Sequence, residues 1–180
     1  MHKSESKLRT ELKKIINSSQ GRAHTDNLVN LLRAHHEWHN ELIDIYLSDE
    51  EPFSRRIVWA IDLYTMEEPE IIIPHLETII DLLPRFSHDA LRRHSLHMLS
   101  QSALPASRLG SLISICFDWL LSAGHPAAVK VYCIEVLYRI SLMEPGIREE
   151  LRDCIELRLN EETPGFKNRG MKILKKLSLL

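Results

Sequence analysis

The sequence predicts an all-α fold built as a short stack of antiparallel helix pairs, and three observations predict it. A phrase recurs along the chain, consisting of a basic residue, a small residue three later and a leucine seven later. It reads Arg56, Trp59, Leu63; Arg92, Ser95, Leu99; Lys130, Cys133, Leu137; and Lys167, Gly170, Leu174, with Trp59 breaking the small-residue rule. Successive leucines lie 36, 38 and 37 residues apart. Self-similarity at such a period marks stacked units, each too small to cover its own apolar face. Apolar residues also pair at three- and four-residue spacing with no strand-like alternation. Finally, Pro52, Pro69, Pro105, Pro126, Pro145 and Pro164 each stand near the start of a helical segment, where a missing N–H costs nothing.

Nine or ten helices follow from these signals. Ser4 to about Ser18 is amphipathic, with Leu8, Leu12, Ile15 and Ile16 on one side, and Ser18 to Gly21 end it. Residues 25–48 carry helix-spaced Leu28, Leu31, Leu32, Trp38, Leu42, Ile45 and Tyr46 without Gly or Pro, which favours one helix over two broken near His35 and His36. Beyond them the segments run 52–67, 69–83, 88–103, 106–123, 126–143, 145–161 and 164–179. Ser87 is the expected N-cap where the second repeat lacks a proline. Short connections make neighbouring helices antiparallel. The chain therefore reads as a single domain over 1–180, with degenerate N-terminal helices in 1–51, three repeats in 52–163 and a capping helix in 164–180.

Composition narrows the function classes. Hydrophobic residues at 44% and charged residues at 27% are ordinary for a soluble globular protein. The net charge of −2 is unevenly spread: residues 1–22 carry +4 and residues 163–180 carry +5, which leaves −11 for the body. An acidic body lacks the basic stripe of a nucleic-acid-binding surface. Cys116, Cys133 and Cys154 stand among apolar neighbours without a CxxC pair, as small buried hydrophobes in a reducing compartment would. No secretory apolar region follows Met1 and no run approaches the roughly 18 residues that span a bilayer, so a cytoplasmic location is expected.

Pro52, Phe53, Ser54, Arg55 and Arg56, followed by Ala60 and Leu63, resemble the first helix of a HEAT repeat. Pro69 to Leu76, then Ile79, Ile80, Leu82 and Leu83, resemble the second. The resemblance covers about residues 52–180, with the basic position filled in all four copies. The acidic residue such repeats carry before it is present only in part, at Asp49 or Glu50, Asp89, and Glu161 or Glu162. Similarity to HEAT and armadillo arrays implies a short α-solenoid whose second helices line the concave side. Ala60, Leu63, Leu96, Leu99, Ile134, Leu137, Met171 and Leu174 would form the inner stripe of the first helices, each buried leucine being worth about 1.5–3 kcal/mol.

No catalytic motif emerges: there is no GxSxG, P-loop or Gly-rich dinucleotide turn, so a non-enzyme without cofactor is expected. His35 and His39, four apart, would share a helix face, but two ligands do not make a metal site and no third is nominated. His94 and His97 are weaker metal candidates, expected at the margins of their helix. Along the concave side implied by the resemblance, Glu77, Asp81, Asp118, Glu149, Asp153 and Glu156 would form an acidic groove for a basic peptide or helix of a partner protein. A non-catalytic protein-interaction scaffold is therefore the expected function. The alternative is a nucleic-acid-binding or DNA-repair protein resembling HEAT-like alkylation-repair glycosylases, with Arg56, Arg92, Lys130 and Lys167 along the phosphates. That reading wants an acid and aromatics around a flipped base, and no spacing selects Asp62, Trp59 and Tyr64 for those roles. The basic amphipathic segment from Phe166 to Leu180 suits a solenoid cap better than a lipid-binding helix.

Overall fold

The computed structural model describes residues 6–180, among which there are ten α-helices and no strand. They are α1 (Lys7–Asn17), α2 (Arg22–Ala34), α3 (His39–Leu47), α4 (Phe53–Tyr64), α5 (Leu76–Leu82), α6 (Asp89–Gln101), α7 (Leu109–Leu121), α8 (Ala127–Met143), α9 (Arg148–Leu159) and α10 (Pro164–Leu177). Residues 4 and 5 of the first predicted helix lie outside the described residues.

Local chemistry sets the helix ends. Ser6 accepts from the Arg9 N–H at the start of α1, and Thr163 accepts from Phe166 at the start of α10, where Pro164 fills the first helical position. At α6 the cap is His88, whose Nδ1 accepts from the Ala90 N–H at 3.0 Å, and not Ser87. Ser87 is instead held by the Asp49 carboxylate, which accepts from its N–H and its hydroxyl at 2.9 Å each. Gly21 has φ +87°, a conformation open to glycine, and turns the chain from α1 into α2.

Two segments differ from expectation. Residues 25–48 are not one helix. His35 leaves the helical region at φ −133°, its ring stacks on Trp38 at 3.6 Å, and His39 Nε2 bonds the freed Leu32 carbonyl at 2.8 Å. The predicted segment 69–83 contains only a two-turn helix between short 3-10 turns, because Pro74 and Pro84 remove donors that a continuous helix needs.

The helices form two layers. α2, α4, α6, α8 and α10 pack each on the next as first helices, and α3, α5, α7 and α9 return behind them as second helices. α1 joins the second layer against α3, also touching α4, so the pair α2/α3 continues the stack that the sequence marks from α4 onward. The first helices touch all along the array. The second helices pack on one another mainly at α1/α3 and α7/α9, and Leu76, Ile79 and Ile80 of α5 are buried. A hollow opens on the first-helix side of the stack.

The recurring phrase explains the stacking in three of its four copies. Leu99 and Leu137 are fully buried. The small residues let a second helix come close: Tyr46 Oη of α3 meets Ser95 Oγ of α6 at 2.5 Å, and a Cβ on Gly170 of α10 would stand 3.0 Å from Ile155 of α9. In the first copy the phrase points elsewhere. Trp59 and Leu63 are half-buried, while Ile57, Val58, Ala60, Ile61 and Tyr64 are buried on α4. Each residue turns a helix by 100°, so a slip of one residue takes a side chain off its face. Met171 is also not in the stripe: it is 58% exposed on α10.

Candidate functional site

The hollow contains a depression of about 520 Å³ lined by all four of the later first helices. Trp59, Asp62 and Leu63 come from α4, Arg93, His94 and His97 from α6, Val131 and Tyr132 from α8, and Arg169 from α10. Regular stacking brings them together, because equivalent turns of successive first helices lie side by side.

At its floor is Asp62, 5% exposed. Its carboxylate accepts from both histidines of α6, with Oδ2 2.6 Å from His94 Nδ1 and Oδ1 2.7 Å from His97 Nδ1. Burial alone would raise the Asp62 pKa, but the hydrogen bonds and charges of the two histidines outweigh it and hold the pKa below the ordinary value, so the group is ionised. His94 is itself buried, and its pKa is lowered by desolvation despite the carboxylate. The geometry agrees: Arg93 Nη2 lies 2.8 Å from His94 Nε2 and, being donor-only, requires that nitrogen to accept. His94 is thus a neutral imidazole in one tautomer, passing a chain of hydrogen bonds from Arg93 to Asp62.

Aromatic rings continue the surface. Trp59 stacks on His94 at 6.2 Å with the Arg22 guanidinium of α2 5.7 Å from its ring, and His97 meets Tyr132 at 4.8 Å. The flanking cations are largely matched. Arg22 bonds Asp26 at 2.9 Å, Arg33 bonds Glu67 at 2.9 Å, and Arg169 lies 2.7 Å from Glu135.

The residues singled out in the sequence lie elsewhere. Glu77 and Asp81 are exposed on α5 and are engaged by the next repeat: Arg108 bonds Asp81 at 2.9 and 3.1 Å, and Ser107 donates to Glu77 at 2.6 Å. Asp118, Glu149, Asp153 and Glu156 are exposed on α7 and α9, among the second helices and outside the lining of the depression. The four recurring cations do not form a ridge. Arg56 reaches back to Asn17, and Arg92 bonds Asp89 at 2.8 Å and also the Phe86 carbonyl. Lys130 is buried against Glu162 at 2.5 Å, while Lys167 is half-buried near the start of α10. Arg56, Arg92 and Lys130 thus act as clasps within and between repeats.

His35 bonds Glu37 at 3.1 Å and His39 is bonded to the backbone, so the pair does not converge on one point. Among the described residues no group of three or more His, Cys, Asp or Glu is placed to hold a metal ion. All three cysteines are buried and free, and burial pushes the Cys133 and Cys154 thiols up. No helix among the described residues is long and apolar enough to cross a membrane.

The network on Asp62 was not assembled from the sequence. The only signal available was that His94 and His97 share a helix face at a three-residue spacing, with Asp62 32 and 35 residues earlier, close to one repeat length. Tyr64, considered beside Asp62, is buried away from the depression against His39.

No curated protein and no solved structure matches the chain. A family model described as a HEAT repeat domain matches residues 8–177, nearly the whole chain and including α1 to α3. With the two-layer stack of helix pairs and the repeating inner residues, the chain belongs to the HEAT repeat proteins.

Proposed function

We propose that this HEAT repeat protein is a non-catalytic scaffold that holds a segment of a partner protein along its first helices. The observation that carries this reading is the depression itself, which runs across four successive first helices and pairs apolar walls with polar groups already fixed in position. The exposed acids of α5, α7 and α9 support it less well, because two of the six are already committed to Arg108.

Site-specific photo-cross-linking in the native cell tests the reading. A photoreactive residue at Val131 should give a discrete protein adduct that Trp59→Ala with Tyr132→Ala abolishes. The same residue at Asp118 should give none. Adducts at Asp118 alone would return the docking face to the second helices.

A nucleic-acid reading also has one supporting observation, since Asp62, Trp59, Tyr132 and Arg93 share the depression. Two features weigh against it. Both Asp62 oxygens are taken by histidines, so the acid does not face a base or sugar. Asp26, Glu67 and Glu135 also interrupt the cations where a phosphate backbone would want a continuous basic stripe. A mobility shift that persists at low salt and falls steeply with added salt would favour nucleic acid.

A further inference from the structure

We propose that Arg93 is the anchor for a single anionic side chain, carboxylate or phosphate, carried on an otherwise apolar or aromatic segment of the partner. The inference rests on the reading of the groove as a docking face and specifies its chemistry. Of the charged groups lining the depression, Asp62 is covered by two histidines and Arg169 faces Glu135. Arg93 has no ion pair among the described residues, and its one hydrogen bond goes to His94, a neutral acceptor. No carboxylate touches Arg93 directly, since Asp62 reaches it only through His94 and has both oxygens on histidines.

Arg93 is also held in place before any ligand arrives. Asp62 fixes His94, and His94 Nε2 fixes one Nη of Arg93, leaving the other guanidinium donors for a ligand. A guanidinium oriented in this way presents parallel N–H groups that suit a carboxylate or phosphate, with less side-chain ordering to pay for on binding. Around it, Trp59, Leu63, Val131 and Tyr132 offer apolar area for the residues on either side of the anion. A single cation with no carboxylate in direct contact, among others that have one, selects one anionic residue and not an acidic run. Basic peptides are disfavoured at this site.

The test uses the full chain and acetylated, amidated pentapeptides of sequence Leu-Trp-X-Trp-Leu, with X as Glu, phosphoserine, Gln or Lys. Binding is followed by calorimetry and by the indole N–H resonance of Trp59 in ¹⁵N spectra. Glu or phosphoserine should bind about 10- to 100-fold more tightly than Gln, and Lys more weakly still. Comparing the two anions identifies which source the site prefers. Arg93→Gln keeps a donor for His94 while removing the charge, and should erase the difference between Glu and Gln. Arg93→Lys should retain part of it.

Equal affinity for Glu, Gln and Lys, a preference that survives Arg93→Gln in a protein with unchanged melting, or no binding up to millimolar peptide would each overturn the assignment. Cross-linking at Val131 reports on docking without reference to charge. A groove that captures a partner yet ignores the charge at Arg93 would therefore remove the anchor and leave the scaffold reading in place.

Discussion

Replacing Asp62 by alanine tests the central piece of the hollow. The substitution leaves the Nδ1–H groups of His94 and His97 without their acceptor. The His94 side chain is 8% exposed, so its orphaned donor should cost about 1–3 kcal/mol. His97, at 24%, can turn toward water and should cost less, about 0.5–1 kcal/mol. The better helix propensity of alanine returns roughly 0.6 kcal/mol. The net loss is about 1–3 kcal/mol, or a fall of about 2–12 °C in melting temperature for a chain of this size. Urea unfolding followed by circular dichroism measures it, with the slope against denaturant unchanged if only the native state is affected. Asp62→Asn keeps one acceptor and should lose about half as much. A double-mutant cycle with His94→Ala should show a coupling of about 1–2 kcal/mol. Strict additivity of Asp62→Ala and His94→Ala would mean that the carboxylate does not hold α4 to α6, and the account of the floor would fail.

Acidification should lower the melting temperature. The His94 pKa is below the ordinary 6.5, so the unfolded chain takes up a proton that the native one refuses, and stability present above that value is lost as the pH falls through it. The Asp62 pKa is below the ordinary 3.8, and its contribution, present above that value, is lost only in stronger acid. Melting at pH 7.5 and 5.5 should therefore separate wild type from His94→Gln, whose pH slope should be reduced but not abolished because burial also lowers the His125 pKa. At the α9/α10 contact, Gly170→Ala gains helix propensity of about 1 kcal/mol but forces a Cβ to 3.0 Å from Ile155 and 3.1 Å from Leu159, costing about 1–3 kcal/mol, so a net loss near 1 kcal/mol is expected in denaturant titration. Gly170→Val should lose clearly more, and a stabilised Gly170→Val would contradict the close approach. Lys130→Ala leaves Glu162 buried with Arg158 as its remaining partner, and should cost about 2–3 kcal/mol, toward the low end for a broken buried pair. Leu137→Asp should abolish cooperative unfolding altogether, since Leu137 is fully buried between repeats.

Local signals in the sequence determined that this chain is all-helical, where most helices begin, and that Leu99, Ser95, Leu137, Cys133 and Gly170 face inward. Proline position, 3.6-residue periodicity and a repeat near 37 residues are properties of neighbouring residues, and packing between repeats reinforces them. The same local signals were ambiguous at His35, where a ring stack and a freed carbonyl end one helix and begin another. They put Leu63 in the inner stripe, where it is only partly buried, because a one-residue slip in a periodic phrase costs nothing on paper and 100° on a helix. Only the tertiary structure decided that a hollow opens across the first helices. It alone joined Asp62 to His94 and His97 across 32 and 35 residues. That contact depends on the rotation of α4 against α6, which is set by how all the side chains between them fit and so is not written in either segment by itself.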